Sequence, residues 1–154
     1  MLPVIRNAEI SDAKAIQNLV NEYAKKGEMI PLSLNDIYER IFEFIVCLYD
    51  NRIVGCCSLH PTWEDLAEIR SLAVDINFHG RDIGYNMVQY NLERAKKIGI
   101  KKVFALTYKP LFFEKLGFCR IEKEILPKKI WTDCLKCIKF PDCDESAVIL
   151  EFKD

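Results

Sequence analysis

In "NFHGRDIGYN", residues 77–86, Gly80 and Gly84 flank Asp82 immediately before a long amphipathic run. Glycines at a strand-to-helix junction leave backbone amides bare, and bare amides at the positive end of a helix attract phosphate. Asp82 puts a carboxylate where such an anion would sit, and aspartate is also a good helix N-cap. The loop therefore reads either as an anion cradle weakened by its own charge or as a plain capped turn. At ~5 Å and an effective dielectric between ~20 and ~80, the repulsion is about 1–3 kcal/mol, part of which Arg81 would offset. Glu68 and Arg70, two residues apart in "LAEIRSLAVD", form a second set, a carboxylate and a guanidinium that side-chain alternation in a strand puts on one face. Cys134, Cys137 and Cys143 form a third. Three thiolates with a fourth group (His60, Cys119 or an aspartate) would complete a tetrahedral structural zinc, while the same thiols would also serve simply to pack a loop.

The elements around these residues follow from apolar spacing and turn chemistry. "PVIRNAEI" predicts a first strand, and Ser11 is placed to cap a helix carrying Ile16, Leu19, Val20 and Tyr23 on one face, with Gly27 as its stop. Ser33 is placed to cap a second, shorter helix through Ile37 and Ile41. "FIVCLYD" and "RIVGCCSLH" predict two strands joined at Asp50-Asn51. In the next strand, unbroken alternation would set Glu68, Arg70, Leu72 and Val74 on one face and Ile69, Ser71 and Ala73 on the other. Met87, Val88, Leu92 and Ala95 predict a helix ending by Gly99, followed by the buried strand "KKVFALTY". "PLFFEKLGF" opens on proline and closes on glycine as a short helix does, and "AVILEF" supplies a last strand. The order is strand, two helices, three strands, helix, strand, helix, two strands. That predicts one α/β domain over residues 1–154, with a mixed, mostly antiparallel sheet flanked by helices.

Composition narrows the class. Half of the 154 residues are hydrophobic and the net charge is −1, so a proper core is affordable and no broad positive field recruits nucleic acid or an anionic membrane. No apolar run approaches transmembrane length and the N-terminus lacks a signal-peptide pattern, so a cytoplasmic location is expected. Seven cysteines, an odd number, argue against a disulfide framework. Cys47, Cys56, Cys57 and Cys119 lie in apolar, strand-like contexts where a reduced thiol behaves as a small core residue. Trp131 and Phe140 read as anchors of the cysteine-rich loop, and His60 as a strand-end residue.

"EIRSLAVDINFHGRDIGYNMVQYNLERAKKIGIKKVFALT" followed by "FFEKLGF" resembles the Gcn5-related N-acetyltransferase family across the whole chain by element order. The family loop reads Gln/Arg-x-x-Gly-x-Gly/Ala; here His79 stands for the Gln or Arg and Asp82 for the central glycine. Within the family, "AEIRSLAV", "FALTY", "FFEKLGF" and the cysteine-rich segment are most similar to short amino-acid acetyltransferases that make N-acetylglutamate. The resemblance implies acetyl-CoA as co-substrate. Main-chain groups of Leu72 and Val74, with Ala73 between them, would hold its pantetheine arm, and His79, Gly80, Arg81, Asp82, Ile83 and Gly84 would wrap its pyrophosphate. Glu68 becomes the candidate base that deprotonates the attacking amine, and Arg70 a bidentate partner for a substrate carboxylate. Both would equally satisfy each other in a structural ion pair. Phe113 occupies the position where the family often has a proton-donating tyrosine, and Tyr108 is the candidate replacement. The implied partner is a small amino-acid substrate, glutamate by resemblance and so a step of arginine biosynthesis, and a homodimer is left open. A peptide or other amine as acceptor, or a non-catalytic acyl-CoA-binding module, are the competing readings.

Overall fold

The computed structural model describes residues 2–126 and 145–153. The elements are β1 (Val4–Asn7), α1 (Ala13–Lys25), α2 (Leu34–Glu39), β2 (Phe44–Tyr49), β3 (Arg52–Pro61), β4 (Leu66–Val74), α3 (Ile83–Lys97), β5 (Lys102–Thr107), α4 (Pro110–Glu114), β6 (Cys119–Ile121) and β7 (Ser146–Glu151). They follow the order expected from the sequence. Among the described residues the strands form one sheet, β1-β2-β3-β4-β5-β7-β6. Every pairing is antiparallel except β4 with β5, the two strands that α3 connects. The β2–β3 turn is built on Asp50 (φ 54°) and Asn51 (φ 61°), the two positive φ values that a two-residue hairpin turn requires.

Helices cover both faces. Met87, Val88, Leu92 and Ala95 of α3 pack with Ile45, Val54, Ala67, Ile69 and Val103 on one face. Ile16 and Val20 of α1 and Ile37 of α2 pack with Val46, Cys56 and Ala73 on the other. Burying each such large aliphatic side chain contributes roughly 1.5–3 kcal/mol. The third cluster, Leu66, Phe104, Leu126 and Ala147, lies around the β5–β7 half of the sheet.

Two of these expectations change. Ser11 does not cap α1; it lies within a 3-10 turn, Ile10–Asp12, that precedes the helix. Asp12 does the local work there, accepting from the Glu9 N–H at 2.7 Å and from Arg6 through both oxygens at 2.7 and 3.2 Å. Ser33 does cap α2, its hydroxyl accepting from the Asp36 N–H at 3.0 Å. Cys119 is exposed on the edge strand β6, whereas Cys47, Cys56 and Cys57 are buried.

The alternation in β4 also breaks. The β3–β4 register shifts between Cys56 and Ser58, so β4 carries one extra residue there, and Ser71 takes a φ of 51°. This is a β-bulge. Before it, Ala67 and Ile69 face α3; after it, Leu72 and Val74 do, while Ala73 faces α1 and α2. Glu68 and Arg70 therefore do not share a face with Leu72 and Val74. They lie on the α1–α2 side.

Candidate active site

β4 and β5 start as a pair and then part. Their register covers only Leu66, Ala67 and Glu68 against Lys102, Val103 and Phe104. β5 stays bonded to β7 as far as Thr107, while β4 bends away through its bulge. Between the separated strands lies a cleft of about 550 Å³. Leu72 and Val74 line one side, Ala105 to Lys109 the other, and Phe112 and Phe113 also contribute. Strand edges without a strand partner present amides and carbonyls along a slot, which suits an extended ligand that itself carries amides.

One end of the cleft is the glycine loop, with His79, Gly80, Asp82, Ile83 and Gly84 in its lining. The first intrahelical bond of α3 runs from the Asn86 N–H to the Asp82 carbonyl at 2.9 Å. The amides of Ile83, Gly84 and Tyr85 thus precede the helical ladder and are the groups an anion would meet. The side chain of Asp82 makes no capping hydrogen bond, so the plain capped turn is not what forms. Asp82 instead adopts the left-handed conformation, φ 61° and ψ 19°, a region that glycine enters freely and aspartate more readily than most residues. Arg81 points elsewhere. Its guanidinium stacks over Tyr49 at 5.4 Å and Phe78 at 5.0 Å, and it is not part of the cleft lining.

The other end is charged. Glu68 and Arg70 are 3.7 Å apart (Oε1 to Nε), and each side chain is 15% exposed. Asp36 and Arg40 of the α2 region line the same end, as do residues 28–32 after α1. Arg40 and Arg70 also share a small adjoining pocket with Glu43 and Ser58. Residues 28–32 are tied back onto α1, because Gln17 donates to the Leu32 carbonyl at 3.2 Å and Asn21 accepts from the Leu32 N–H at 3.4 Å. Tyr108 lines the cleft at the end of β5. Phe113 is buried, edge-on to Phe112 at 5.1 Å and to Phe118 at 5.2 Å, and brings no hydroxyl to the site.

The structure thus brings Glu68, Arg70, Leu72, Val74, Tyr108, Phe113 and most of the loop around one cleft. Ala73 turns its side chain into the opposite core. Arg40 and Tyr23 also line the cleft, and sequence reasoning missed both. Arg40 reads as an ordinary polar residue after a short helix, and Tyr23 as one more member of an apolar face. Cys134, Cys137 and Cys143, with Trp131 and Phe140, lie outside the described residues. Among the described residues no group of three or more His, Cys, Asp or Glu side chains is placed to hold a metal. His60, offered as a fourth ligand, is engaged by Glu43 at 2.9 Å. No helix among the described residues is long and apolar enough to cross a membrane.

Comparison with known proteins finds relatives in both sequence and fold. The sequence model of the acetyltransferase (GNAT) family matches residues 13–118. An uncharacterized N-acetyltransferase, CT2212, of Chlorobaculum tepidum is 40% identical over 145 residues, 94% of each chain. An amino-acid acetyltransferase of Mycobacterium tuberculosis is 40% identical over 123 residues, 78% of this chain and 70% of that one. Among solved structures, Rv2747 of Mycobacterium tuberculosis in complex with CoA and NLQ superposes with a TM-score of 0.84 at 31% identity, covering 97% of this chain and 99% of that one. On sequence and fold together, the chain belongs to the acetyltransferase (GNAT) family.

Proposed function

We propose that the cleft binds acetyl-CoA and transfers its acetyl group to the α-amine of a small amino acid, glutamate or a close relative, as a step of arginine biosynthesis. The observation that carries this reading is the Glu68–Arg70 pair, largely buried beside the point where β4 and β5 separate. The relative named as an amino-acid acetyltransferase and the solved complex with CoA support it.

The chemistry follows from the placement. The pantetheine arm lies in the slot between β4 and β5, and the pyrophosphate meets the amides that open α3. An amino acid arrives with its amine protonated, and only the neutral amine attacks a thioester. Its carboxylate engages the guanidinium of Arg70, bidentately, with Arg40 beside it to receive a second carboxylate. Drawing Arg70 onto the substrate loosens its hold on Glu68, which makes Glu68 a better base at the moment a base is needed. Glu68 takes the proton, the amine attacks the thioester carbon, and the tetrahedral intermediate expels the CoA thiolate. Tyr108 supplies the proton to that thiolate, in place of the hydroxyl that Phe113 lacks, and the second proton of the acetylated nitrogen, lost as the intermediate collapses, restores the phenol.

The test is release of free CoA thiol from acetyl-CoA with glutamate present. Glu68→Gln should lower kcat while leaving CoA affinity intact, and Arg70→Ala should raise KM for glutamate well beyond any change in kcat. Unchanged turnover in Glu68→Gln would remove Glu68 from the mechanism, and an unmoved KM in Arg70→Ala would make Arg70 purely structural.

A further inference from the structure

Tyr23 holds a different loop at each of its two ends. Its carbonyl accepts from the Glu28 N–H at 3.1 Å, closing α1 into the segment that lines the charged end of the cleft. Its hydroxyl donates to the Val74 carbonyl at 2.6 Å, at the last residue of β4. The Nε2 of His79 stands 2.8 Å from that hydroxyl oxygen and 3.0 Å from the same carbonyl. A phenol has one proton, and the 2.6 Å bond uses it. Nε2 must then carry its own proton and donate into the pair of oxygens, since the reverse assignment would leave two bare acceptors facing the carbonyl. Burial, above all, holds the Tyr23 phenol above its usual range, so it remains a protonated donor at neutral pH.

The His79 nitrogen that donates is therefore spent on Val74 and Tyr23. Two residues on, Arg81 is pinned to Tyr49 and Phe78 on the far side of the loop. Between the two anchors sits Gly80, at φ 80° with open space around it, the point where the loop would swing if one anchor were lost. We infer that Tyr23 and His79 form a latch that sets the phosphate-facing loop against β4, so that His79 is a positioning residue acting on the cofactor through this placement. The inference rests on the reading of the cleft as a CoA site.

The experiment compares the wild type with Tyr23→Phe, His79→Ala and the double variant, using steady-state kinetics in acetyl-CoA and calorimetric titration with CoA. In each single variant KM for acetyl-CoA should rise roughly five- to tenfold, the scale of one hydrogen bond, by more than any fall in kcat and with KM for the amino acid moved less. The double variant should be little worse than either single one, because both changes break the same junction. Melting curves of the free proteins show whether Tyr23→Phe has loosened the fold, and His79→Ala, in an exposed loop, provides the arm independent of the core. An unmoved KM for acetyl-CoA, or additive losses in the double variant, would overturn the latch while wild-type CoA binding kept the cofactor reading intact. Absence of CoA binding by the wild type would overturn both.

Discussion

Asp82 holds a left-handed backbone conformation at the glycine-loop end of the cleft, and its carboxylate is not used to cap α3. Two costs therefore meet in one residue: a charge near the place an anion would occupy, and a Cβ where glycine would be unstrained. Arg81, which from the sequence should offset the charge, is stacked on Tyr49 and Phe78 instead. Asp82→Gly should tighten CoA binding by about 1–3 kcal/mol, and Asp82→Asn should recover only part of that, since it removes the charge and keeps the side chain. Titrations of the three proteins at low and high salt check this, with the differences shrinking as salt rises. Identical CoA affinities would mean that the carboxylate points away from the phosphates. The glycine loop was legible in the sequence because its spacing is local. The direction of Arg81 was not, because its aromatic partners come from β2 and from the turn before the loop.

At the scale of elements, periodicity identified the strands and helices and the two-residue hairpin at Asp50-Asn51, but it carried no signal for the bulge in β4. A two-residue repeat assumes one residue per step, and "LAEIRSLAV" looks unbroken on that assumption. The bulge decides which residues of β4 share a face. It turns Leu72 and Val74 toward α3 while Glu68 and Arg70 keep company with α2. Ser71 takes the strain, at φ 51°. Ser71→Val, which forces a β-branched side chain into that region, should cost about 1–3 kcal/mol of stability, whereas Ser71→Gly should relieve strain. Urea unfolding distinguishes them, and equal stability of the two variants would mean that the bulge residue carries no strain.

The whole molecule places the start of the chain against its first helix through Arg6 and Asp12. Burial alone would raise the Asp12 carboxyl, but the hydrogen bonds from Arg6 and from the Glu9 N–H outweigh it and hold the group below the usual carboxylate range. A lowered folded value means that this stabilisation is complete above the ordinary carboxylate value of about 4 and is lost as pH falls through the folded one. Asp12→Asn should cost about 1–3 kcal/mol at neutral pH and flatten the acid side of the stability profile; a profile unchanged by the substitution would remove Asp12 from that role. At this scale the hairpins and the strand–helix–strand unit were readable because their partners adjoin in sequence. The insertion of β7 between β5 and β6 was not, because nothing local tells the last strand which neighbours to choose. The cleft inherits the same division: its glycine loop and its β4 charges were visible, whereas Tyr23 and Arg40 join only when α1 and α2 fold across the sheet. The most direct test of amino-acid acetylation is mass spectrometry of a reaction containing the protein, acetyl-CoA and an equimolar mixture of the common amino acids. The prediction is an N-acetylated product dominated by glutamate or a close relative, and strongly diminished with Glu68→Gln. Thioester consumption with no N-acetyl amino acid formed, or no consumption at all, would contradict it.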